Sequence, residues 1–283
     1  MCYRRQTVTF GSAMKLSSLP GGGTGTSDRV KTRNQAAEKS ASSIGICGTE
    51  NQLLAALRSE DRAILDSHSE TVPVNRGMLL AGPNDKVEAA YFPMVGTVVS
   101  LSTSLDDGRT VEAATVGCEG VIGGIVSCGT RYSFASAVVQ ISGATTRVPV
   151  RVLENLKDSS PQFRRLLERY SDFLFSQALQ SVACNAFHSL EQRLCRWLLT
   201  TQDRVGTDAI PLTQEALADM IGVQRTSIST VSRNLRARGL LRYRHGSVDI
   251  LNREGLHAAS CGCYDEVEKC RRNVTSSFAG SVR

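Results

Sequence analysis

Between Arg225 and Arg244 the chain carries six arginines and no carboxylate. Interleaved with the first of them are hydroxyls, at Thr226, Ser227, Ser229, Thr230 and Ser232. Guanidinium groups bind phosphates, and they take guanine edges in a two-point fashion. Hydroxyls hydrogen-bond several base edges, and threonine methyls can touch thymine. A stretch of this make-up suits a polyanion whose bases are read at close range. Uncompensated positive charge there would displace counterions, so binding would depend on salt.

A second set of reactive side chains lies near the C-terminus, in "CGCYDEVEKC". Cys261 and Cys263 are one residue apart, and Cys270 follows. Thiols so placed could form a redox switch or hold a soft metal. A zinc site more often uses two-residue spacing and a second ligand pair. The segment therefore reads as an exposed tail with incidental cysteines, and no metal site is expected. The histidines, His68, His188, His245 and His257, stand apart from one another. They give no basis for haem, and no cofactor is expected. Nine cysteines scattered over 283 residues do not form a disulfide scaffold. No base or pocket accompanies Cys261 and Cys263, so an enzyme is not expected.

The hydroxyl-rich stretch must be positioned by its own helix. Ser and Thr are poor helix-interior residues, because their hydroxyls compete for backbone groups. Yet Ile228, Val231 and Leu235 recur at helical spacing and define an inner face. Thr226, Ser229, Thr230 and Arg233 fall opposite, with Arg225 and Arg236 on the flank. Upstream, Thr213 can cap a helix with Glu215 in its first turn. Ala216, Leu217, Met220 and Ile221 form its apolar face, and Gly222 can end it in the left-handed conformation. Helix, short glycine-containing turn and helix make a helix-turn-helix. "LLRYRHGSVDIL" then predicts a hairpin turning at His245-Gly246, a wing whose Arg242 and Arg244 can meet the phosphate backbone.

The remaining elements alternate in character. Residues 1 to about 48 are rich in Gly, Ser, Thr and basic residues, which predicts disorder. "NQLLAALRSEDRAIL" predicts one or two short amphipathic helices, with Ser59 capping the second. From Val72 to Val150, short β-branched runs alternate with turn residues, and Asp107-Gly108 marks a hairpin. That pattern predicts an antiparallel barrel or roll. Ser160-Pro161 then opens a long helix through Phe163, Leu166, Leu167, Tyr170, Phe173, Leu174, Leu179 and Val182. Its apolar stripe is broad enough to pack on the roll and also to pair with a second copy of itself. Net charge is a mild +6. No apolar run approaches membrane-span length and no secretory signal is recognisable, which predicts a cytoplasmic protein.

On these motifs the chain resembles the Crp/Fnr family of bacterial transcription regulators. The resemblance spans about residues 50 to 258 and rests on "LTQEALADMIGVQRTSISTVSRNLRARGLL", the long helix and the roll ending in "VGCEGVIGG". It implies a homodimer whose recognition helices read a palindrome with half-sites about one DNA turn apart. By that resemblance Gln224, Arg225 and Ser229 fall where family members contact bases. A glutamate that commonly follows the arginine is replaced by Thr226.

The sensor region departs from the family's nucleotide-binding members. Beside Gly123, Gly124 stands where they place a glutamate for the ribose. Ala135, ahead of Ser136, stands where they place an arginine for the cyclic phosphate. Arg131 is close in sequence as a substitute, the resemblance implies a degenerate effector pocket, and Glu119 reads as a turn residue. Cys2 and Cys47 do not form the N-terminal cluster of the family's iron–sulfur sensors.

The expected fold is α+β: an N-terminal antiparallel β-roll (a cupin-like jelly roll), a long dimerisation helix and a C-terminal winged helix-turn-helix. Expected boundaries are 1–48 for the extension, 49–158 for the sensor roll, 159–187 for the dimerisation helix, 188–258 for the DNA-binding domain and 259–283 for the tail. Expected partners are double-stranded DNA and a second copy, with RNA polymerase a further candidate and the effector unassigned. The rival reading is a cyclic-nucleotide-binding signalling protein whose helical end contacts protein.

Overall fold

A computed structural model describes residues 50–123, 131–244 and 246–279, with side chains to residue 274. The extension at 1–48 lies outside them. Two short helices open the described chain, α1 (Gln52–Ala55) and α2 (Ser59–Asp66). Asn51 caps α1 with its side chain. The α2 cap position is Arg58, without a side-chain cap bond, so Ser59 begins the helix and does not cap it. The two acidic residues of its first turn, Glu60 and Asp61, supply the favourable charge instead.

Seven strands follow: β1 (Glu70–Val74), β2 (Leu79–Ala81), β3 (Ala89–Pro93), β4 (Val98–Ser104), β5 (Thr110–Val116), β6 (Ser136–Ile141) and β7 (Gly143–Pro149). They pair antiparallel into two sheets, ordered β1-β7-β3 and β2-β6-β4-β5. The β4–β5 hairpin turns at Asp107-Gly108, and Gly108 takes the positive φ (83°) that such a turn requires. Val74, Val99, Val116, Ile122, Ala137 and Val139 cluster within the roll.

Helix α3 (Val150–Ser159) leads into the long α4 (Pro161–Phe187). Ser160 caps α4 by accepting from Phe163 N, and Pro161 takes the first helical position. Phe163, Leu166, Leu167, Tyr170 and Phe173 are buried against the roll and helices α1–α3. Beyond Leu174 the stripe divides. Phe175, Leu179 and Val182 are exposed at 66%, 54% and 69%.

The C-terminal part begins with α5 (Leu190–Val205), entered through a capping box formed by Ser189 and Gln192. Then come β8 (Ala209–Ile210), α6 (Gln214–Ile221), α7 (Arg225–Ala237), β9 (Leu241–Arg244) and β10 (Ser247–Ile250). The last two form the wing, and β8 adds a third strand beside β10. Two more helices close the chain, α8 (Arg253–Ala259) and α9 (Cys263–Ala279). The 259–283 segment is thus no exposed tail in its described part. Cys261, Cys263, Tyr264 and Val267 are buried, and α9 lies along α4. The spacing of Cys263, Val267, Cys270 and Val274 is that of a helix face, and it outweighs the charged residues between.

Candidate nucleic-acid interface

Helix α6 has the expected ends. Thr213 Oγ1 accepts from Ala216 N, Glu215 sits in the first turn, and Gly222 closes the helix at φ 73°. The turn Val223-Gln224 delivers α7. Ile228 and Leu235 are fully buried, with Val231 packed beside them, in the core that also holds Leu217, Met220 and Ile221. This core fixes which face of α7 looks outward.

Gln224, Arg225, Thr226, Thr230 and Arg233 are exposed, while Ser227 and Ser229 are half-buried. Two of the hydroxyls bond back to carbonyls of their own helix. Thr230 Oγ1 donates to Thr226 O (3.1 Å), and Ser229 Oγ lies within reach of Arg225 O (3.1 Å) and Gln214 Oε1 (2.8 Å). Such back-bonding lets Ser and Thr remain helical, and their acceptor lone pairs stay available. Gln214 was not among the expected site residues. Its position one helix earlier hides it from any reading of the α7 wheel. Ser232, on the inner side, hydrogen-bonds the Tyr243 hydroxyl (2.7 Å) and ties α7 to the wing. Burial pushes the Tyr243 hydroxyl above its ordinary range, so it stays protonated in that bond.

The six arginines divide by partner. Among the described residues Arg225, Arg233 and Arg236 face no carboxylate within ion-pair distance. Arg238 pairs with Glu191 on α5 (2.7 Å). Arg242 and Arg244 both reach Asp249 Oδ2, at 3.1 and 2.8 Å. Asp249 lies just beyond the carboxylate-free stretch, and the hairpin register puts it opposite Arg242. The wing is accordingly less positive than its sequence suggests.

Arg131 gives both Nε and Nη2 to Glu154 on α3 (3.0 and 2.8 Å). Ala135 and Ser136 lie at the start of β6, half-buried. Gly123 has φ 80°, and a Cβ there would meet Ala89 O at 2.7 Å, so backbone packing accounts for the glycine. Gly124 lies outside the described residues. Glu119 is more than a turn residue, being buried in an ion pair with Arg204 of α5.

One group assembles from residues that the sequence keeps apart. Cys184 and His188, at the end of α4, meet Cys261 and Cys263. His188 is therefore not isolated, and the cysteine pair has a second ligand pair. A Cys and a His four apart in a helical pattern was the available signal; the 77-residue separation between Cys184 and Cys261 concealed it.

Residues 192–259 match the Crp-like helix-turn-helix domain family. No curated protein matches the chain in sequence. Among solved structures, FixK2 from Bradyrhizobium japonicum is similar with a TM-score of 0.60 at 18% identity, covering 68% of this chain and 98% of that one. The regulator CLP from Xanthomonas campestris, described as c-di-GMP responsive, gives 0.57 at 16% identity, covering 69% and 100%. A putative Crp/Fnr-family regulator from Eubacterium rectale gives 0.56 at 17% identity, covering 74% and 99%. Among the described residues no helix is long and apolar enough to cross a membrane. The chain carries a Crp-like helix-turn-helix domain on the roll, long helix and wing of the Crp/Fnr regulator fold.

Proposed function

We propose that the chain is a sequence-specific DNA-binding transcription regulator that acts as a homodimer on a two-fold symmetric site. The outward face of α7 carries this reading. Gln224, Arg225, Thr226, Thr230 and Arg233 are exposed together there, on a helix whose opposite face is locked in a core. In the major groove Arg225 and Gln224 would take base edges, with Ser227, Ser229, Thr230 and Arg233 along the groove wall. Arg242 and Arg244 of the wing would meet phosphates.

Dimerisation through α4 is supported by the exposed Phe175, Leu179 and Val182, which recur at the spacing of a helix–helix seam. A second copy is the occupant that places two recognition helices symmetrically. The two-point pairing of Arg131 with Glu154 supports a sensor roll in which this guanidinium does not serve a cyclic phosphate. Any effector would act through a difference in affinity between two arrangements of the dimer. RNA polymerase is the further partner that this role entails, and the cytoplasm its compartment.

Selection of bound DNA from a random pool, followed by sequencing, tests the reading. A two-fold symmetric motif with half-sites about one turn apart is the expected product. Recovery of no motif from a folded dimer, at low as well as moderate salt, would reject it.

A further inference from the structure

Cys184 Sγ and Cys261 Sγ are 3.6 Å apart, and Cys263 Sγ lies 3.4 Å from His188 Nδ1. All four ligand atoms lie within 4.8 Å of one another. A tetrahedral zinc ion with bonds of about 2.3 Å to sulfur and about 2.0 Å to nitrogen sets S···S edges near 3.8 Å and S···N edges near 3.5 Å. Two of the edges already have that size, and the rest need to close by at most about 1.3 Å. We propose that Cys184, His188, Cys261 and Cys263 form a closed site for one zinc-class divalent cation, which clamps the junction between α4 and the DNA-binding domain.

Burial pushes up the pKa of the Cys261 thiol, so an ion would have to displace its proton, and several neighbours would support the ligand sulfurs once it did. The three cysteines are buried in a small cluster of their own. Gln180 Nε2 donates to Cys263 Sγ (3.0 Å), the kind of outer hydrogen bond that orients a metal ligand. Cys263 is the first residue of α9, a helix of 17 residues, whose N-terminal dipole favours a negative sulfur. Arg193 interacts electrostatically with Cys184, and its buried Nε has no hydrogen-bond partner. Its charge would offset the single negative charge of three thiolates, one neutral imidazole and a divalent ion. Binding would release the three thiol protons, making it stronger as pH rises. Four protein ligands leave no open position, so the site is structural or regulatory.

Its place in the fold gives the consequence. His188 is the C-cap of α4, and only Ser189 separates it from α5. Cys261 and Cys263 flank Gly262 between α8, which packs on α5, and α9, which packs on α4. An ion bonded to all four would fix the angle at which α4 hands over to the helix-turn-helix. This goes beyond the proposed function and does not require it.

The experiment uses the full-length reduced chain, stripped with a chelator and titrated with Co²⁺ under argon. Expected are one equivalent bound, thiolate-to-cobalt charge-transfer bands with tetrahedral ligand-field absorption, and displacement by Zn²⁺. Cys270→Ser should bind as the parent does. Cys261→Ser with Cys263→Ser should lose the bands. His188→Cys should keep one equivalent with a shifted spectrum, which guards against loss through misfolding. Gln180→Ala should weaken binding by about 10-fold. The proposal is overturned by no binding at micromolar Co²⁺ or Zn²⁺, by bands that survive in the double-serine variant, or by a Cys184–Cys261 disulfide in protein purified without oxidant. Because metal binding is read without DNA, failure of the site and failure of the regulator reading are distinguishable.

Discussion

The Arg204 guanidinium meets Glu119 Oε1 at 2.7 Å with both side chains almost fully buried. It also donates to Thr115 O (3.0 Å) and to Thr200 O (2.9 Å). Arg204 belongs to α5 of the DNA-binding part and Glu119 to the roll, so one charge pair spans the two. Removing one partner of a buried pair leaves the other charge unpaired, which costs more than the pair itself contributes. Arg204→Ala should lower stability by about 3–5 kcal/mol in urea unfolding. A double replacement, Arg204→Met with Glu119→Leu, should recover a large part. A single variant that unfolds like the parent would show that the pair is solvated.

Arg225→Ala should weaken binding to the selected site by about 1–3 kcal/mol and relax base preference at one position per half-site. Arg233→Ala, if its contact is to phosphate, should lower affinity for all sequences alike and reduce the salt slope by about one per protomer. Fluorescence anisotropy over a salt series checks both. Equal loss on specific and random DNA for Arg225→Ala would remove that residue from base reading.

Asp249 holds Arg242 and Arg244 together at the wing. Asp249→Asn keeps a hydrogen-bonding side chain and frees two guanidiniums. Affinity for random DNA should rise, and the salt dependence should steepen. Unchanged binding to random DNA would place the wing away from the phosphates.

Leu179→Glu combined with Val182→Glu puts charge on the exposed stripe of α4. Sedimentation should show a dimer in the parent and a monomer in the variant, with the helical signal retained. A parent that sediments as a monomer at tens of micromolar would defeat the dimer reading.

Glu112 Oε1 accepts from Trp197 Nε1 (3.0 Å) and from the Thr115 hydroxyl (2.6 Å), while Oε2 is buried without a partner. Desolvation, outweighing these hydrogen bonds and the nearby Arg196 and Arg204, holds this carboxyl above the usual range. The folded state therefore binds the proton more tightly than the unfolded state. The stability that the protonated acid contributes is fully present below the unfolded pKa and is lost as pH rises through the folded one. Glu112→Gln should stabilise the protein more at pH 7 than at pH 4 in parallel unfolding curves. A stability difference that does not change with pH would show that the carboxyl titrates normally.

Much of the fold was legible because its boundaries are set locally. Ser160-Pro161, Thr213, Gly222 and Asp107-Gly108 each dictate a cap or turn through their own backbone chemistry, and each does so in the structure. The α7 face was legible for the same reason, since Ile228 and Leu235 must point inward. What stayed hidden was set by distance in sequence. Asp249 reaches the wing arginines only through hairpin register. Glu119 acquires its role from Arg204, 85 residues away. The Cys184 and His188 partners of the C-terminal cysteines come from the far end of a helix that reads as a dimer seam. At Ser59 the difference is one of position, the helix beginning at that residue with Arg58 in the cap position.

Val98 and Ile141 of the roll belong to the same buried cluster as Leu217, Ile228 and Leu235 of the helix pair. The DNA-reading part is therefore not a detachable module. Excised at Ser189, it would carry an apolar wound where the roll had been and would lose the Glu119 counter-charge for Arg204. Transplanting this reader onto another sensor would mean transplanting the matching surface of the roll with it.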